Sequence, residues 1–326
     1  RAYAYFNLVN MYAVHYNSAT AASDPGVPIR EGIELAGVDL TRASVKAVYD
    51  LVIGDLVYGT QHLPDTQPLS LAFRPSKAAA FGLLARVYLY QAKYTEALTA
   101  VEDALELHST LRDINNDPIS FYAPGLRVFP NQTADPEIIW FKDMGGLLVN
   151  ASSDELMNLY ETGDLRREWY STIRDNIVFS ANVDGFIYAA QLFVTNTSAG
   201  VSTAGLYLIR AECNARLGHV QEANNDLNTL RKKRFSPADY SDLDISDKTT
   251  LLKFVKDERR RELASADAER LFDIKRYNLL DHDGISVTHS YNGETVTVTP
   301  DSRKWVLPIG AKYIQINPEI KQNLRN

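Results

Sequence analysis

The side chains that most often carry out catalysis or bind metals occur in this chain, but their spacing matches no known site. Six histidines, among them His15, His62, His108 and His219, are scattered without the spacing of metal ligands. The chain has no glycine-rich phosphate loop, no His-Glu-x-x-His helix and no Gly-x-Ser-x-Gly turn. The acidic run 242–247 lacks the glycine and the closing glutamate of a calcium loop. The residues therefore predict no catalytic site, no metal site and no cofactor.

Composition and charge exclude several classes of protein. Hydrophobic residues make up 45% of the 326 residues and charged residues 23%, as in ordinary globular chains. The net charge is −7, and the dense basic runs 231–234 and 259–261 fall on predicted helices or their ends. We interpret both runs as solvated or salt-bridged helix faces, which argues against nucleic-acid binding. The single Cys213 excludes an internal disulfide and is predicted to be a small core residue.

The most informative pattern is an internal repeat at an offset of 126 residues. The segment 85–104, ARVYLYQAKYTEALTAVEDA, aligns without a gap with 211–230, AECNARLGHVQEANNDLNTL. Small residues coincide at the same three places in both copies: Ala85 and Ala211, Ala92 and Gly218, Ala97 and Ala223. Apolar residues follow the last pair four and seven positions later in both copies.

This spacing predicts an antiparallel pair of helices in each copy. The first and last small residues let the two helices approach closely, and the middle one lies at the turn, where bulk would collide with the second helix. Ser76 is a suitable N-cap for the first pair. Residues 1–16, the stretch from Ser44 to Val52 and the stretch from Leu251 to Tyr277 are amphipathic and could supply further helices.

The predicted helices surround segments of a different kind. Residues 112–202 are rich in Pro, Gly, Asn, Asp, Ser and Thr, so the two repeats are much farther apart than in a plain solenoid. The second irregular region, 281–326, contains Asn292-Gly293 between alternating β-forming residues, which is a strong signal for a β-hairpin. Long loops on a rigid helical frame are where binding residues are usually found.

Several segments, in order, resemble the SusD/RagB family, the surface glycan-binding lipoproteins of Bacteroidetes. The resembling segments are RAYAYFNLV at 1–9, RASV at 42–45 with Tyr49-Asp50 and Leu63-Pro64, RPSKAA at 74–79 running into LARVYL at 84–89, ERRREL at 258–263 with FDIKR at 272–276, and LPI at 307–309 with Asn317-Pro318 and Gln322-Asn323. Two scaffold positions depart from the family: residues 264–271 replace its usual Gly, His and Trp, and Gly310 stands where it commonly has Pro.

The resemblance implies a mainly α fold: a tetratricopeptide-like helical-pair scaffold with loop-rich insertions and a small β-hairpin. It implies a single domain over 1–326, with the scaffold at about 1–111 and 203–280 and a loop-rich binding subregion at about 112–202 and 281–326. Its members bind oligosaccharides or other nutrients at the outer face of the outer membrane and deliver them to a SusC-like TonB-dependent transporter. They carry a lipidated cysteine and further helices upstream of the segment matched by Arg1, so we expect an upstream part with a lipid anchor.

The candidate ligand-binding residues are aromatic and amide side chains in the irregular segments. Aromatic planes stack on the C–H faces of sugar rings, and amide side chains pair with their hydroxyl groups. Tyr16 and Asn17 open the loop after the first helix, which often contributes to the ligand site in the family that the chain resembles. Trp169, Tyr170 and Tyr188 lie in the central insertion. Trp140 and Trp305 are interpreted as structural residues.

Two alternative functions stay open from the residues. The chain could be a tetratricopeptide-type scaffold for protein–protein interaction, although the long insertion between the repeats disfavours this. It could also hide a glycan hydrolase in the insertion, because a pair among the 41 Asp and Glu residues could act as acid and base.

Overall fold

The structure is a computed structural model that describes residues 1–34, 37–116, 120–123, 126–128, 135–142, 152–173, 186–188, 199–264 and 269–325. The chain forms two compact units. The first unit consists of Arg1–Tyr58, Tyr90–Ala92 and Ala268–Asn326, and the second of Gly59–Leu89 and Lys93–Asp267. The predicted division into a scaffold and a binding subregion within one domain stays a prediction. The predicted mainly α fold is confirmed, because helices dominate both units.

Helices and an aromatic cluster make up most of the first unit. It contains α1 (Ala2–Tyr12), most of α2 (Val45–His62), α10 (Glu269–Leu280) and α11 (Ala311–Ile316). Phe6 is buried and packs edge-on against three rings, with centroids 5.3 Å from Tyr90, 6.1 Å from Tyr49 and 6.5 Å from Phe272. Edge-to-face pairs of this kind stabilise a core by about 0.5–1.5 kcal/mol each beyond their buried area.

The predicted β-hairpin is confirmed. Strands β7 (Val287–Tyr291) and β8 (Glu294–Val298) pair antiparallel, with Tyr291 opposite Glu294. Asn292 and Gly293 form the turn with φ of 50° and 80°. A tight two-residue turn with positive φ at both positions matches the twist of the strands, and Asn-Gly is the sequence that tolerates it best.

The second unit is built around α7. It contains most of α3 (Lys77–Tyr90), then α4 (Tyr94–Leu107), α5 (Asp154–Met157), α6 (Arg166–Tyr170), α7 (Thr203–Leu217), α8 (Val220–Arg231) and α9 (Lys248–Glu262). Helix α7 packs against α4, α8 and α9. Short antiparallel pairs join β1 (Ser120–Ala123) to β2 (Leu126–Val128), β3 (Ile138–Trp140) to β6 (Val201–Ser202), and β4 (Ser171–Ile173) to β5 (Phe186–Tyr188).

The internal repeat corresponds to two helical pairs, α3–α4 and α7–α8, as predicted. The small residues at 85, 97, 211 and 223 are all buried, and so is Cys213. The turn positions Ala92 and Gly218 both adopt left-handed backbone, with φ of 58° and 86°. The physical reason for a small residue there differs from the expected collision with the second helix. A Cβ at position 218 would meet the side-chain nitrogen of Lys248, so the main demand is the sign of φ.

The two basic runs are solvated only in part: Lys232 is exposed, but most of the arginines are buried, which corrects the interpretation of a solvated face. Arg231, Arg234, Arg259 and Arg261 are each no more than 5% exposed. Their ion pairs do exist, but inside the second unit: Arg234 pairs with Glu262 at 2.8 Å, and Arg231 pairs with Glu258 at 3.1 Å. Arginine suits such buried positions because its planar fork satisfies several acceptors at once.

Candidate functional site

The structure separates the predicted ligand-binding residues into the two units. Tyr16 and Asn17 follow α1 in the first unit and are half-buried. The Tyr16 ring lies 4.9 Å from the ring of Tyr49, centroid to centroid. The Asn17 side chain accepts a hydrogen bond from the backbone N–H of Ala19 at 3.0 Å, which holds the loop in a tight turn. Asn17 also lines the cleft described below, where its amide could contact a ligand. Ligand binding by Tyr16 and Asn17 stays a prediction.

The other three predicted residues lie in the second unit. Trp169 is 4% exposed, and the Arg112 guanidinium lies 5.5 Å from its ring centroid. Tyr170 is half-buried and packs edge-on against Trp169, and burial raises the pKa of its hydroxyl. Tyr188 ends β5, and its side chain lies outside the described residues. Binding by these three residues stays a prediction, and the buried Trp169 ring contacts protein in this structure.

The first unit contains a cleft of about 860 Å³. Its walls come from the loop after α1, from Arg42, from the end of α10 and from the segments 300–306 and 321–324. The polar side chains that line it are His15, Asn17, Thr20, Asp24, Arg42, Lys275, Asn278, His282, Asp301, Ser302, Arg303, Lys321, Gln322 and Asn323. This volume accommodates a small ligand such as an oligosaccharide of a few rings.

Arg42 joins the segments that form one side of the cleft. Its Nε donates to the carbonyl oxygen of Gly26 at 2.7 Å, and its terminal nitrogens donate to the carbonyl oxygens of Tyr12, Pro25 and Lys321 at 2.8–3.0 Å. It also donates to Asn323 Oδ1 at 2.8 Å. The five contacts use the full fork of the guanidinium, so Arg42 fixes the shape of this wall.

The amide side chains of Gln322 and Asn323 hold further segments at the edge of the cleft in place. Asn323 Nδ2 donates to the carbonyl oxygens of Tyr12 at 2.9 Å and Leu307 at 2.8 Å. Gln322 pairs with both backbone groups of Ile309, at 2.9 and 2.8 Å. Gln322 and Asn323 belong to one of the segments that resemble the family. Their side chains bind backbone groups of other segments at the edge of the cleft.

Trp305, which the sequence analysis interprets as a structural residue, also lines the cleft. It lies at the end of a short 3-10 helix, Arg303–Trp305, whose N-cap Ser302 accepts from the N–H of Lys304. The indole N–H donates to the carbonyl oxygen of Thr299 at 2.8 Å, and the side chain is half-buried while it lines the cleft.

The floor of the cleft is unusual because it includes a buried lysine and a buried histidine. The Lys275 ammonium donates to the carbonyl oxygens of Asn10 and Ala13, and burial lowers its pKa to about 7. His15 is 5% exposed, and its ring lies 5.9 Å from the ring of Tyr90. Burial, reinforced by the charges of Lys275 and Arg276, holds the pKa of His15 well below its ordinary value. The imidazole is therefore neutral at neutral pH.

The buried carboxylates of the second unit form a structural network. Arg166 pairs with Asp164 at 2.7 Å, with Glu258 at 2.8 Å and with Glu262 at 2.9 Å, and all four side chains are at most 3% exposed. Burial by itself would raise the pKa of Glu258, but the guanidiniums of Arg166, Arg261 and Arg231 hold it at about 2. These carboxylates are neutralised and shielded from solvent, so a substrate cannot reach them.

The described part of the chain contains neither a metal-ligating cluster nor a membrane-spanning helix. No group of three or more His, Cys, Asp or Glu side chains there is arranged to hold a metal ion. Within the same ranges, no helix combines the length and the apolar character needed to cross a membrane.

Comparison with protein families gives two matches that flank the central insertion. A model described as "Starch-binding associating with outer membrane" matches residues 1–89. A second model, described as the SusD family, matches residues 203–325, so the two ranges together cover more than half of the chain. No curated protein sequence matches the chain.

Solved structures with the same fold come from Bacteroides species. A SusD-like protein from Bacteroides fragilis is 19% identical, with a TM-score of 0.70 over 99% of this chain and 78% of that one. A SusD-like carbohydrate-binding protein from Bacteroides vulgatus is 19% identical, with a TM-score of 0.68 over 98% and 75%. A surface glycan-binding protein from Bacteroides uniformis is 18% identical, with a TM-score of 0.71 over 99% and 75%. At these identities the likeness establishes the fold.

Proposed function

This chain belongs to the SusD/RagB family, and from that premise we propose that it binds oligosaccharides in the cleft of its first unit without cleaving them. The observation that carries the proposal is the cleft itself, about 860 Å³ in volume, where the Trp305 ring lies among amide, hydroxyl and charged side chains. An aromatic face beside convergent polar groups is what a sugar ring requires. We expect micromolar to millimolar affinity, because polar contacts with sugar replace contacts with water and the net gain is small.

The binding test is calorimetry or affinity electrophoresis against a panel of glycans. Trp305→Ala and Asn17→Ala should weaken binding, by roughly tenfold for the tryptophan because a stacking surface is lost. Tyr58→Ala is the matched control, since Tyr58 is 64% exposed on α2 and does not line the cleft. If no soluble glycan binds, or if Trp305→Ala binds as well as the parent, the cleft is not a glycan site.

The absence of catalysis is tested separately. Pure protein incubated with the polysaccharides that bind best should release no new reducing ends. The buried carboxylates around Arg166 support this expectation, because each is paired with arginine. Chain cleavage that survives repeated purification would favour a hydrolase in the central insertion instead.

We further propose that the protein works at the outer face of the outer membrane beside a SusC-like TonB-dependent transporter. Membership in the family supports this, since one matching model is described by its association with the outer membrane. Purification of the tagged full-length protein from detergent-solubilised outer membranes should bring down a TonB-dependent transporter. Recovery of the protein from the periplasmic fraction alone would contradict the location and the partnership. A scaffold for protein–protein interaction would instead bind soluble partners and no glycan.

A further inference from the structure

The charges that line the cleft have the opposite sign to the chain as a whole. The whole chain has 34 Lys and Arg against 41 Asp and Glu. The cleft is lined by the cations Arg42, Lys275, Arg303 and Lys321, and by the acidic residues Asp24 and Asp301. A concave, partly desolvated site with excess positive charge concentrates anions.

Two of these cations lie in the wall and the floor without a carboxylate beside them. Among the described residues, Arg42 donates its five hydrogen bonds to four carbonyl oxygens and to the Asn323 amide oxygen. The Lys275 ammonium contacts only the carbonyl oxygens of Asn10 and Ala13 among the described residues. An ammonium has three donors, so Lys275 retains one hydrogen-bond donor beyond these two contacts. A buried cation with no counter-ion is costly, and an anionic ligand would offset that cost.

His15 adds unused hydrogen-bonding capacity at the same floor. It is 95% buried, it lines the cleft, and neither ring nitrogen has a hydrogen-bond partner among the described residues. The backbone of Tyr90 lies near enough to influence the ring weakly, but its geometry is not that of a hydrogen bond. A buried polar group without a partner costs free energy, and a ligand group that pairs with it recovers that energy.

We propose that the cleft selects oligosaccharides that carry a negatively charged group, a carboxylate or a sulfate, which lies against Lys275 and His15. This inference rests on the proposed glycan-binding function and narrows its substrate class. The charged groups that face the floor are Lys275 and Arg276 of α10, while Arg42, Asp24, His282, Asp301, Arg303 and Lys321 line the walls. The anion would stabilise the protonated form of Lys275, so binding near pH 8 takes up a fraction of a proton.

The first test compares ligands that differ only in charge. Calorimetry at pH 7 pairs trigalacturonate with its methyl ester, and a sulfated galactan tetrasaccharide with its desulfated form. We expect the charged member of at least one pair to bind tenfold or more tightly, and the pair that shows this identifies carboxylate or sulfate as the group recognised. At pH 8, the apparent binding enthalpies in phosphate and in Tris should differ. The difference equals the number of protons taken up multiplied by the difference between the ionisation enthalpies of the two buffers. Equal binding of charged and neutral members would overturn the inference and leave glycan binding intact.

The second test uses neighbouring residues on one short helix. Arg303 lines the cleft and Lys304 does not, although both are exposed on the 3-10 helix Arg303–Trp305. Arg303→Gln should weaken the charged ligand three- to tenfold and leave the neutral ligand unchanged, whereas Lys304→Gln should change neither. Equal effects of the two substitutions would contradict a site for the anion. Failure of every glycan, charged or neutral, would instead refute the proposed function itself.

Discussion

The ammonium group of Lys275 donates a hydrogen bond at 2.7 Å to the carbonyl oxygen of Ala13, the C-cap residue of α1. The contact ties α10 to the C-terminus of α1, where the helix dipole favours a cation. It also buries the amine, which lowers the pKa of Lys275 to about 7. Lys275 therefore both holds two helices of the first unit together and places a titratable amine in the cleft.

The buried amine makes the stability of the protein depend on pH in a defined direction. Between about pH 7 and the ordinary lysine pKa of 10.5, the unfolded chain binds a proton at residue 275 that the folded chain has released. Stability from this group is therefore lost as pH falls towards 7 and gained as pH rises. We expect the unfolding free energy of the parent to rise, relative to that of Lys275→Met, by roughly 1.4 kcal/mol per pH unit in this range.

Denaturant titrations at pH 7, 8 and 9 measure that difference. Lys304→Met is the control, because Lys304 is exposed on the 3-10 helix Arg303–Trp305. Its difference from the parent should stay flat with pH. A flat difference for Lys275→Met as well would show that the lysine is not titrating near neutral pH.

The arginine network of the second unit predicts a specific acid sensitivity. The pKa of Glu258 is about 2 in the folded chain against 4.5 in the unfolded chain. Its contribution is complete above pH 4.5 and is lost as pH falls towards 2, which amounts to about 3 kcal/mol. Glu258→Gln should lower the free energy of unfolding at pH 7 by about 3–5 kcal/mol, since three buried guanidiniums lose their counter-charge. Thermal unfolding from pH 7 to pH 2.5 should then show a smaller acid loss in the variant than in the parent.

Glu222→Gln is the matched control for that experiment, because Glu222 is exposed on α8. It should reproduce the parent curve. A Glu258→Gln variant as stable as the parent would show that the network contributes no net stability, as some buried ion pairs do when they are replaced.

Two glycines in different backbone settings, Gly218 at a turn of the repeat and Gly54 inside α2, predict opposite effects of a glycine-to-alanine change. Gly218→Ala should lower the free energy of unfolding by about 1 kcal/mol, because an L-residue is strained at its φ of 86°. Gly54→Ala should raise it by up to about 1 kcal/mol, since Gly54 lies inside α2 with open space around the added Cβ. Urea unfolding of both variants checks the pair, and equal signs would contradict the backbone explanation.

The five hydrogen bonds of Arg42 predict that the shape of the cleft wall depends on the guanidinium donors and not on the positive charge alone. Arg42→Lys keeps the charge but leaves most of the five acceptors without a donor, so we expect a loss of about 3 kcal/mol of stability. The cleft ligand should bind more weakly too. Lys46→Gln, which removes an exposed i,i+4 ion pair with Asp50, should leave the unfolding midpoint unchanged. Parent-like stability of Arg42→Lys would show that the wall is held by other contacts.

Much of the helical frame was predictable because its constraints are local. Helical spacing and small residues at 85, 92 and 97, matched at 211, 218 and 223, indicated two helical pairs, and both exist. The Asn292-Gly293 turn likewise follows from the backbone preferences of two adjacent residues. Such features are decided by neighbours within a few positions along the chain.

Burial of charge and the assembly of the cleft were decided by the tertiary structure. Arg231, Arg234 and Arg261 have the sequence character of surface residues, yet each is buried and pairs with a carboxylate from a distant segment. The cleft brings together side chains as far apart in sequence as Asn17, Lys275 and Trp305. Trp169 does not line it and is buried in the other unit. Sequence periodicity reports which side of an element is apolar, but contacts across hundreds of residues determine which polar and aromatic side chains meet.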